Sequence, residues 1–320
     1  MKSPTAAVIA ALLIFVSCPA YPQDGRLVPS YDENSGFIRD YPEIDIDVLP
    51  YVNSWKNSGK DSGKDSGKNS GTITGHGGFS ERPIFTRGDP LDPPSKGAVL
   101  KYLKSFNYGF LGGNCETEQH FYETGQHIYE TGQNFYENEQ TVFYVLSGTG
   151  YVESGGKREI LSEGSAVFIP AGLEYRFVNT ATEPFEVIII AEEIPGGFEP
   201  RDTLTVRRYR DSTPATCCWA YTIYSLFDRR DGLFEPMGIA VVTVESFGMG
   251  SPHYHVDGCE EIWLKLKGEE SPLMLGKKLL KHSVGEAFLA PPNGLVPHSV
   301  INHTDSVMAW LYIGNRHDKE

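Results

Sequence analysis

Four residues in the last quarter of the chain have types and spacing that could hold a metal ion. In SPHYHVDGCEEIWLKLKG, which runs from Ser251 to Gly268, His253 and His255 are two apart. On a strand that spacing sends both imidazoles to one face. Glu261 follows in the next strand, and GEAFLAPPNGLVPHSVIN then supplies His298. Three neutral imidazoles and one carboxylate suit a divalent transition metal, with Fe, Mn, Ni, Cu and Zn all compatible with the set. Four protein ligands leave coordination positions for water or substrate, as a catalytic metal requires. Glu260 competes with Glu261 for the carboxylate position, because the two are adjacent and only one can face inward.

These side chains need short strands to carry them. Six residues separate Glu261 from Gly268, and Gly285, Pro291, Gly294, His298 and Asn302 form a second spaced series. The two motifs together resemble those of the cupin superfamily, although the gaps after His255, Pro291 and Gly294 are longer than usual. The extra residues fall in loops, so the ligand count survives. The resemblance implies an all-β fold of double-stranded β-helix (jelly-roll) barrels, with metal ligands His253, His255, Glu261 and His298.

An earlier block has the same outline: FYVLSGTG matches WLKLKGEE, and GSAVFIPAGLEYRFVN matches GEAFLAPPNGLVPHSVIN. The chain therefore reads as an internal duplication, two tandem cupin barrels. The ligands do not carry over. Tyr175 stands where His298 does, Thr141 where Glu261 does, and Asn134 with Tyr136 where the histidine pair would fall. A phenol, a hydroxyl and an amide are poor ligands for these ions, so the first barrel is expected to be metal-free and to support the second.

The boundaries follow from composition. Residues 1–20 carry one basic residue, a short apolar run and small residues, which is the pattern of a secretory signal peptide cleaved after Ala20. Acylation of Cys18, as in a lipoprotein, is the alternative. Residues 21–75 are polar and turn-rich, and KNSGKDSGKDSGKNSG within them lacks apolar residues, so the segment reads as a flexible tether. Residues 76–198 form the degenerate barrel, 199–235 a linker with leading strands, and 236–320 the metal-binding barrel. A seven-residue repeat, QHFYETGQHIYETGQNFYENEQ, reads as an expanded surface loop; His120, Glu123, His127 and Glu130 in it could form a peripheral metal site.

Around the expected metal, alternation puts Glu261, Trp263 and Lys265 on one face and Ile262, Leu264 and Leu266 on the other. Trp263 and Lys265 are thus candidate catalytic pocket residues, with Lys265 either meeting an anionic substrate or snorkelling out of the barrel mouth. The aliphatic face must be buried against the other barrel or a second subunit, which admits a homo-oligomer.

A formal charge of −14 and no clustered Lys or Arg argue against a nucleic-acid partner, and no apolar run is long enough to span a membrane. Cys115, Cys217, Cys218 and Cys259 remain after signal removal and permit three pairings; a bridge between the neighbours Cys217 and Cys218 would be strained. NHT at Asn302 matches a glycosylation sequon by accident, because Asn302 belongs to the barrel motif.

The resemblance implies a secreted enzyme using one metal on a small organic substrate. Dioxygenase, decarboxylase and hydrolase chemistry are all found among double cupins, which include oxalate decarboxylases, flavonol dioxygenases and ureidoglycine aminohydrolases. The last group resembles this chain in keeping metal only in the C-terminal barrel. The alternative is a binding or storage cupin without turnover. A phosphosugar isomerase fits less well, since no basic cluster is present.

Overall fold

A computed structural model of the chain describes residues 46–56, 73–74, 79–117 and 138–316. Its elements are strands joined by tight turns and a few 3-10 turns. The first is β1 (Val52–Ser54). There follow β2 (Ile73–Thr74), β3 (Ser80–Arg87), β4 (Ala98–Leu100), β5 (Ser105–Leu111) and β6 (Cys115–Glu116). The next run is β7 (Glu139–Ser147), β8 (Thr149–Ser154), β9 (Lys157–Ser162), β10 (Ser165–Ile169), β11 (Arg176–Asn179), β12 (Phe185–Glu193) and β13 (Thr205–Arg208). The second half contains β14 (Ala215–Cys217), β15 (Tyr221–Asp228), β16 (Pro236–Val244), β17 (Cys259–Lys267) and β18 (Ser271–Leu275). It ends with β19 (Lys278–His282), β20 (Glu286–Ala290), β21 (His298–Val300) and β22 (Met308–Arg316).

Each half pairs a large sheet with a small one. The large sheets run β13-β10-β7-β12-β5-β3-β2 and β1-β20-β17-β22-β16-β15-β14, and the small ones β6-β11-β8-β9 and β19-β18-β21. Position by position the orders of the large sheets match, and β9-β8-β11 matches β19-β18-β21 with β6 added, which is the expected duplication in three dimensions.

Alternation explains how the large sheets serve two cores at once. In β7, Phe143 and Val145 face the interior of the first barrel, whereas Val142 and Tyr144 face the second half. Strand β12 repeats this, with Val187 and Ile189 inward and Ile188 and Ile190 outward. On the opposing sheet, Ile262 and Leu264 of β17 are fully buried in the same shared core, where Phe168 and Phe227 also meet at 6.0 Å between ring centroids. The aliphatic face of β17 is therefore covered by the other barrel of the same chain.

The sequence reads as a tether through residue 75, but part of that stretch is built into the fold. Val48 and Tyr51 are buried, and β1 pairs antiparallel with β20, Val52 opposite Phe288. Trp55 stacks on Tyr108 at 4.8 Å. These four apolar residues, scattered through a polar segment, give residues 46–56 enough surface to bury for the ordering to be favourable. The segment read as a linker behaves similarly: β13 precedes the second barrel in sequence yet pairs with β10 of the first. Each large sheet thus ends on a strand from the segment that precedes the other barrel: β1 crosses to the second barrel and β13 returns to the first. The signal-like residues 1–20, the Lys/Asp repeat beyond Lys56, and the seven-residue repeat with His120, Glu123, His127, Glu130, Asn134 and Tyr136 lie outside the described residues.

Candidate metal centre

Strand β17 enters the second barrel at Cys259, and its parity decides which of two adjacent glutamates faces inward. Glu260 points to the interface between barrels, where its carboxylate accepts from the Lys101 backbone N–H and from Asn315 Nδ2, both at 3.0 Å. Burial pushes its pKa up to about 7, against the lowering effect of those hydrogen bonds. Glu261 points inward, and the competition is resolved in its favour.

His298 opens β21, and its backbone pairs with that of His253, with N···O distances of 2.9 and 3.3 Å. This bridge brings the two motifs together. Gly294 (φ +69°) makes the approach possible: a Cβ there would stand 2.8 Å from the Asp257 nitrogen, in the loop carrying His255. With Pro292 O accepting from Gly258 N–H at 2.9 Å, the two loops are fixed against each other.

The result is a four-residue cluster of His253, His255, Glu261 and His298, whose ligand atoms lie within 4.8 Å of one another. His255 Nε2 is 2.9 Å from Glu261 Oε1, and His298 Nε2 is 2.9 Å from Glu261 Oε2. Glu261 and His298 are buried; His253 and His255 are partly exposed, so the cluster faces solvent on their side. His253 Nδ1 donates to Ser251 O at 2.7 Å, which leaves Nε2 as the lone-pair nitrogen. Burial alone would raise the Glu261 pKa, but His255 and His298 outweigh it and hold the carboxyl well below the usual range. Burial, helped by His298, pushes His253 down to about 4, so its imidazole is neutral at pH 7.

This donor set fits a divalent metal ion. It offers three imidazoles and an ionised carboxylate with a span of about two metal–ligand bonds of roughly 2.1 Å each. His298 Nδ1 is buried with no hydrogen-bond partner, so the ring is held by packing and by what its other nitrogen meets.

The carboxylate is positioned from behind by two further donors. Trp263 Nε1 donates to Glu261 Oε2 at 3.0 Å, and the Tyr312 hydroxyl donates to Oε1 at 2.6 Å. Trp263 is therefore part of the site, as its parity with Glu261 suggests, but as a buried support. Tyr312 was not singled out from sequence. Its signal was the alternation in β22, which places it directly across from Trp263.

Lys265 corrects the sequence reading. It shares the inward face, but its ammonium donates to the Glu269 carbonyl, to Ser271 Oγ at 2.5 Å and to the His282 carbonyl at 3.0 Å. It also lies 5.4 Å from the Trp310 ring centroid. All three donors are used inside the barrel, and burial lowers its pKa to about 8 against the opposing effect of Glu270 and Glu286. Lys265 closes one end of the barrel and neither snorkels out nor meets a ligand at the histidines. Asn302 is likewise structural: it is buried, and its Nδ2 donates to the carbonyls of Val244, Glu245 and Ser306 at 2.7–3.0 Å. A surface cleft of about 170 Å³ beside Arg207 and Arg230 is separate, and both guanidiniums there already pair with Asp231 and Asp228.

The first barrel's interior differs. Phe79, Phe143, Phe177, Phe185 and the fully buried Tyr175 fill it, with ring centroids 4.7–6.4 Å apart.

Comparison with known proteins agrees with this architecture. A family model described as a cupin domain matches residues 121–191. No curated protein matches the chain. Among solved structures, a putative glyoxylate-induced protein from Pseudomonas aeruginosa superposes with a TM-score of 0.55 at 16% identity, covering 81% of this chain and 96% of that one. The protein Ylba from E. coli gives 0.50 at 16% identity, with 78% and 96% covered. An oxalate decarboxylase variant from Bacillus subtilis gives 0.54 at 13% identity, with 84% and 78% covered. At such identities the likeness is one of fold. Residues 121–191 thus match a cupin domain, and the fold as a whole is that of two cupin jelly-roll barrels in tandem.

Proposed function

We propose that this protein is a secreted bicupin enzyme that uses one divalent transition metal, held by His253, His255, Glu261 and His298, on a small organic substrate bearing a carboxylate. The observation that carries the reading is the convergence of four buried or half-buried donors from two motifs, ordered by a dedicated set of hydrogen bonds. Side chains held this tightly by secondary partners are what a working metal site needs, and loss of such partners typically costs 10–100-fold in affinity or activity. When bound, such an ion supplies Lewis-acid polarisation of a carboxylate or carbonyl oxygen and, if iron or copper, one-electron chemistry.

The chain's own residues do the rest. Trp263 and Tyr312 keep both Glu261 oxygens aimed at the histidines. The Ser251 carbonyl fixes the His253 tautomer. A substrate approaches past the partly exposed His253 and His255, since Glu261 and His298 are closed off by Trp263, Phe288 and Tyr312. The oxalate decarboxylase among the structural neighbours acts on a dicarboxylate, which makes small dicarboxylates and oxoacids the first substrates to try.

Elemental analysis of purified protein, followed by oxygen uptake and carbon dioxide release on a panel of small carboxylic acids and phenols, tests this. The expected result is one metal per chain and turnover of at least one acid. One tightly bound metal with no turnover on any substrate would instead support a binding or storage role, and a redox-silent zinc would exclude oxidase and dioxygenase chemistry. Secretion is tested by mass spectrometry of exported protein: removal of residues 1–20 leaves Tyr21 at the N-terminus, whereas an acylated Cys18 marks the lipoprotein alternative.

A further inference from the structure

Cys217 ends β14 and Cys218 opens a tight turn next to the histidine cluster. We propose that this pair is a thiol–disulfide modification site whose redox state is transmitted to His253. Three observations point to it.

The two sulfurs lie 2.6 Å apart. That is well inside ordinary non-bonded contact, roughly 3.5–4 Å between heavy atoms. Both residues are partly exposed, so a small-molecule disulfide can reach them.

The backbone is also unusual there. Cys218 (φ +48°) and Trp219 (φ +70°) are consecutive non-glycine residues in the left-handed region. Such conformations are uncommon and persist only where the surroundings impose them, which is chiefly at functional sites. Here the surroundings are the Cys218 carbonyl, which accepts from Ser251 N–H at 2.9 Å and from Ala220 N–H at 3.1 Å, and a bridge between Trp219 and Gly250.

The third observation is the connection onward. Ser251, whose N–H is held by the Cys218 carbonyl, is the residue whose own carbonyl accepts from His253 Nδ1 at 2.7 Å. Two hydrogen bonds in series therefore join the dithiol turn to one imidazole of the cluster. The Cys217 sulfur beside it and burial push the Cys218 thiol up, and the negative charge of Glu261 adds in the same direction, which places the pair electrostatically within reach of the same centre.

The reaction is an exchange with a low-molecular-weight disulfide such as oxidised glutathione. One cysteine thiolate attacks the reagent's S–S bond and releases the first glutathione thiol, forming a mixed disulfide. The second cysteine thiolate then displaces the other glutathione thiol. Cys217 and Cys218 together lose two protons and two electrons, and the reagent gains them. Adjacent Cα atoms across a trans peptide are about 3.8 Å apart, below the usual 4.4–6.8 Å of a disulfide, so the closed ring is strained and readily reduced. That is the behaviour of a reversible regulatory bond. Closing the ring must turn the Cys218 peptide, and the Ser251–His253 linkage moves with it.

The test uses the full chain in metal-free form, so that it does not depend on the proposed metal. Cys217 and Cys218 fall alone in one tryptic peptide, residues 211–229. After oxidised glutathione that peptide is expected to be two hydrogens lighter and inert to iodoacetamide, and dithiothreitol should restore two alkylatable thiols. The ring-nitrogen NMR signals of His253, assigned by their disappearance in H253Q, are expected to shift between the two states. Both changes should vanish in C218S and, as a second variant, in C217S. Two alkylated cysteines after oxidised glutathione, or a mixed disulfide that does not close, would overturn the proposal. So would a closed ring that leaves the His253 signals in place.

Discussion

The two barrels use one frame for opposite interiors. In β7, Thr141 pairs with Ala191 and Phe143 with Ile189; in β17, Glu261 pairs with Gly314 and Trp263 with Tyr312. Where one barrel places threonine, phenylalanine, isoleucine and tyrosine (Tyr175), the other places glutamate, tryptophan, tyrosine and histidine (His298). The first interior is a packed aromatic plug and the second a polar cluster with an open side. The outward faces, by contrast, have kept their chemistry. Gln140 donates to Glu192 across β7 and β12, and Asn315 donates to Glu260 across β22 and β17. Each carboxylate also accepts backbone N–H groups from the other barrel: Phe234 and Glu235 for Glu192, Lys101 for Glu260. Asn179 and Asn302 likewise hold equivalent turns with the same three-carbonyl pattern. The duplicated halves have thus diverged where a ligand would sit and stayed alike where they must fit each other.

Converting the second interior into the first should give the largest effect. The double variant Glu261→Thr with His298→Tyr leaves only His253 and His255 and is expected to reduce metal affinity by more than about 1,000-fold, read by competition with a chromophoric chelator. His298→Ala alone should also lose metal while the protein stays folded by circular dichroism, since Pro291 and Gly294 set that turn; full metal content in it would contradict the assigned ligands.

The reverse exchange, Thr141→Glu, puts a carboxylate into the plug with no histidine to meet it. An uncompensated buried charge costs about 3–5 kcal/mol, and the loss should deepen with rising pH as the group ionises; denaturant unfolding at pH 5 and 8 measures both.

A smaller effect is expected from Tyr312→Phe, which gives that position the apolar character of Ile189. Metal affinity should fall 10–100-fold with little change in fold. An unchanged dissociation constant would show that Trp263 alone positions the carboxylate.

The smallest effect concerns the conserved outward pair within the chain. Burial raises the Glu192 pKa above its ordinary 4.5, opposed by the Phe234 and Glu235 N–H groups and Gln140. A raised carboxyl pKa contributes stability fully below pH 4.5, and that contribution is lost as pH rises through the higher value in the fold. Glu192→Gln should therefore flatten the decline in unfolding free energy above pH 4.5, read by denaturant unfolding across pH 4 to 8.

Much of this was legible in the sequence because short-range rules carried it. The spacing of His253, His255, Glu261 and His298, with parity along EEIWLKLKG, located the cluster and the shared aliphatic face. Parity alone could not separate Glu260 from Glu261, since that choice depends on which side of the sheet the barrel closes. Lys265 was misread for a related reason. Its inward direction was correct, but its partners are the Glu269 carbonyl in the turn after β17, Ser271 and the His282 carbonyl, whose convergence depends on the path of β18 and β19. Tyr312 lies outside both motifs, ten residues past Asn302, and only strand pairing brings it beside Glu261. The crossings of β1 and β13 lie beyond any local pattern, because composition shows that Val48, Tyr51 and Trp55 can be buried but not which barrel buries them.

The crossing of β1 also has a consequence for synthesis. The Ser54 hydroxyl donates to the carbonyl of Gly285, 231 positions later. At translation rates of about 5–20 residues per second, the arm emerges roughly 10–50 s before its docking strand exists. During that interval the first barrel can close on its own strands while Tyr51, Val52 and Trp55 wait in water. Whatever keeps that nascent segment from pairing elsewhere during synthesis governs the yield of the finished molecule.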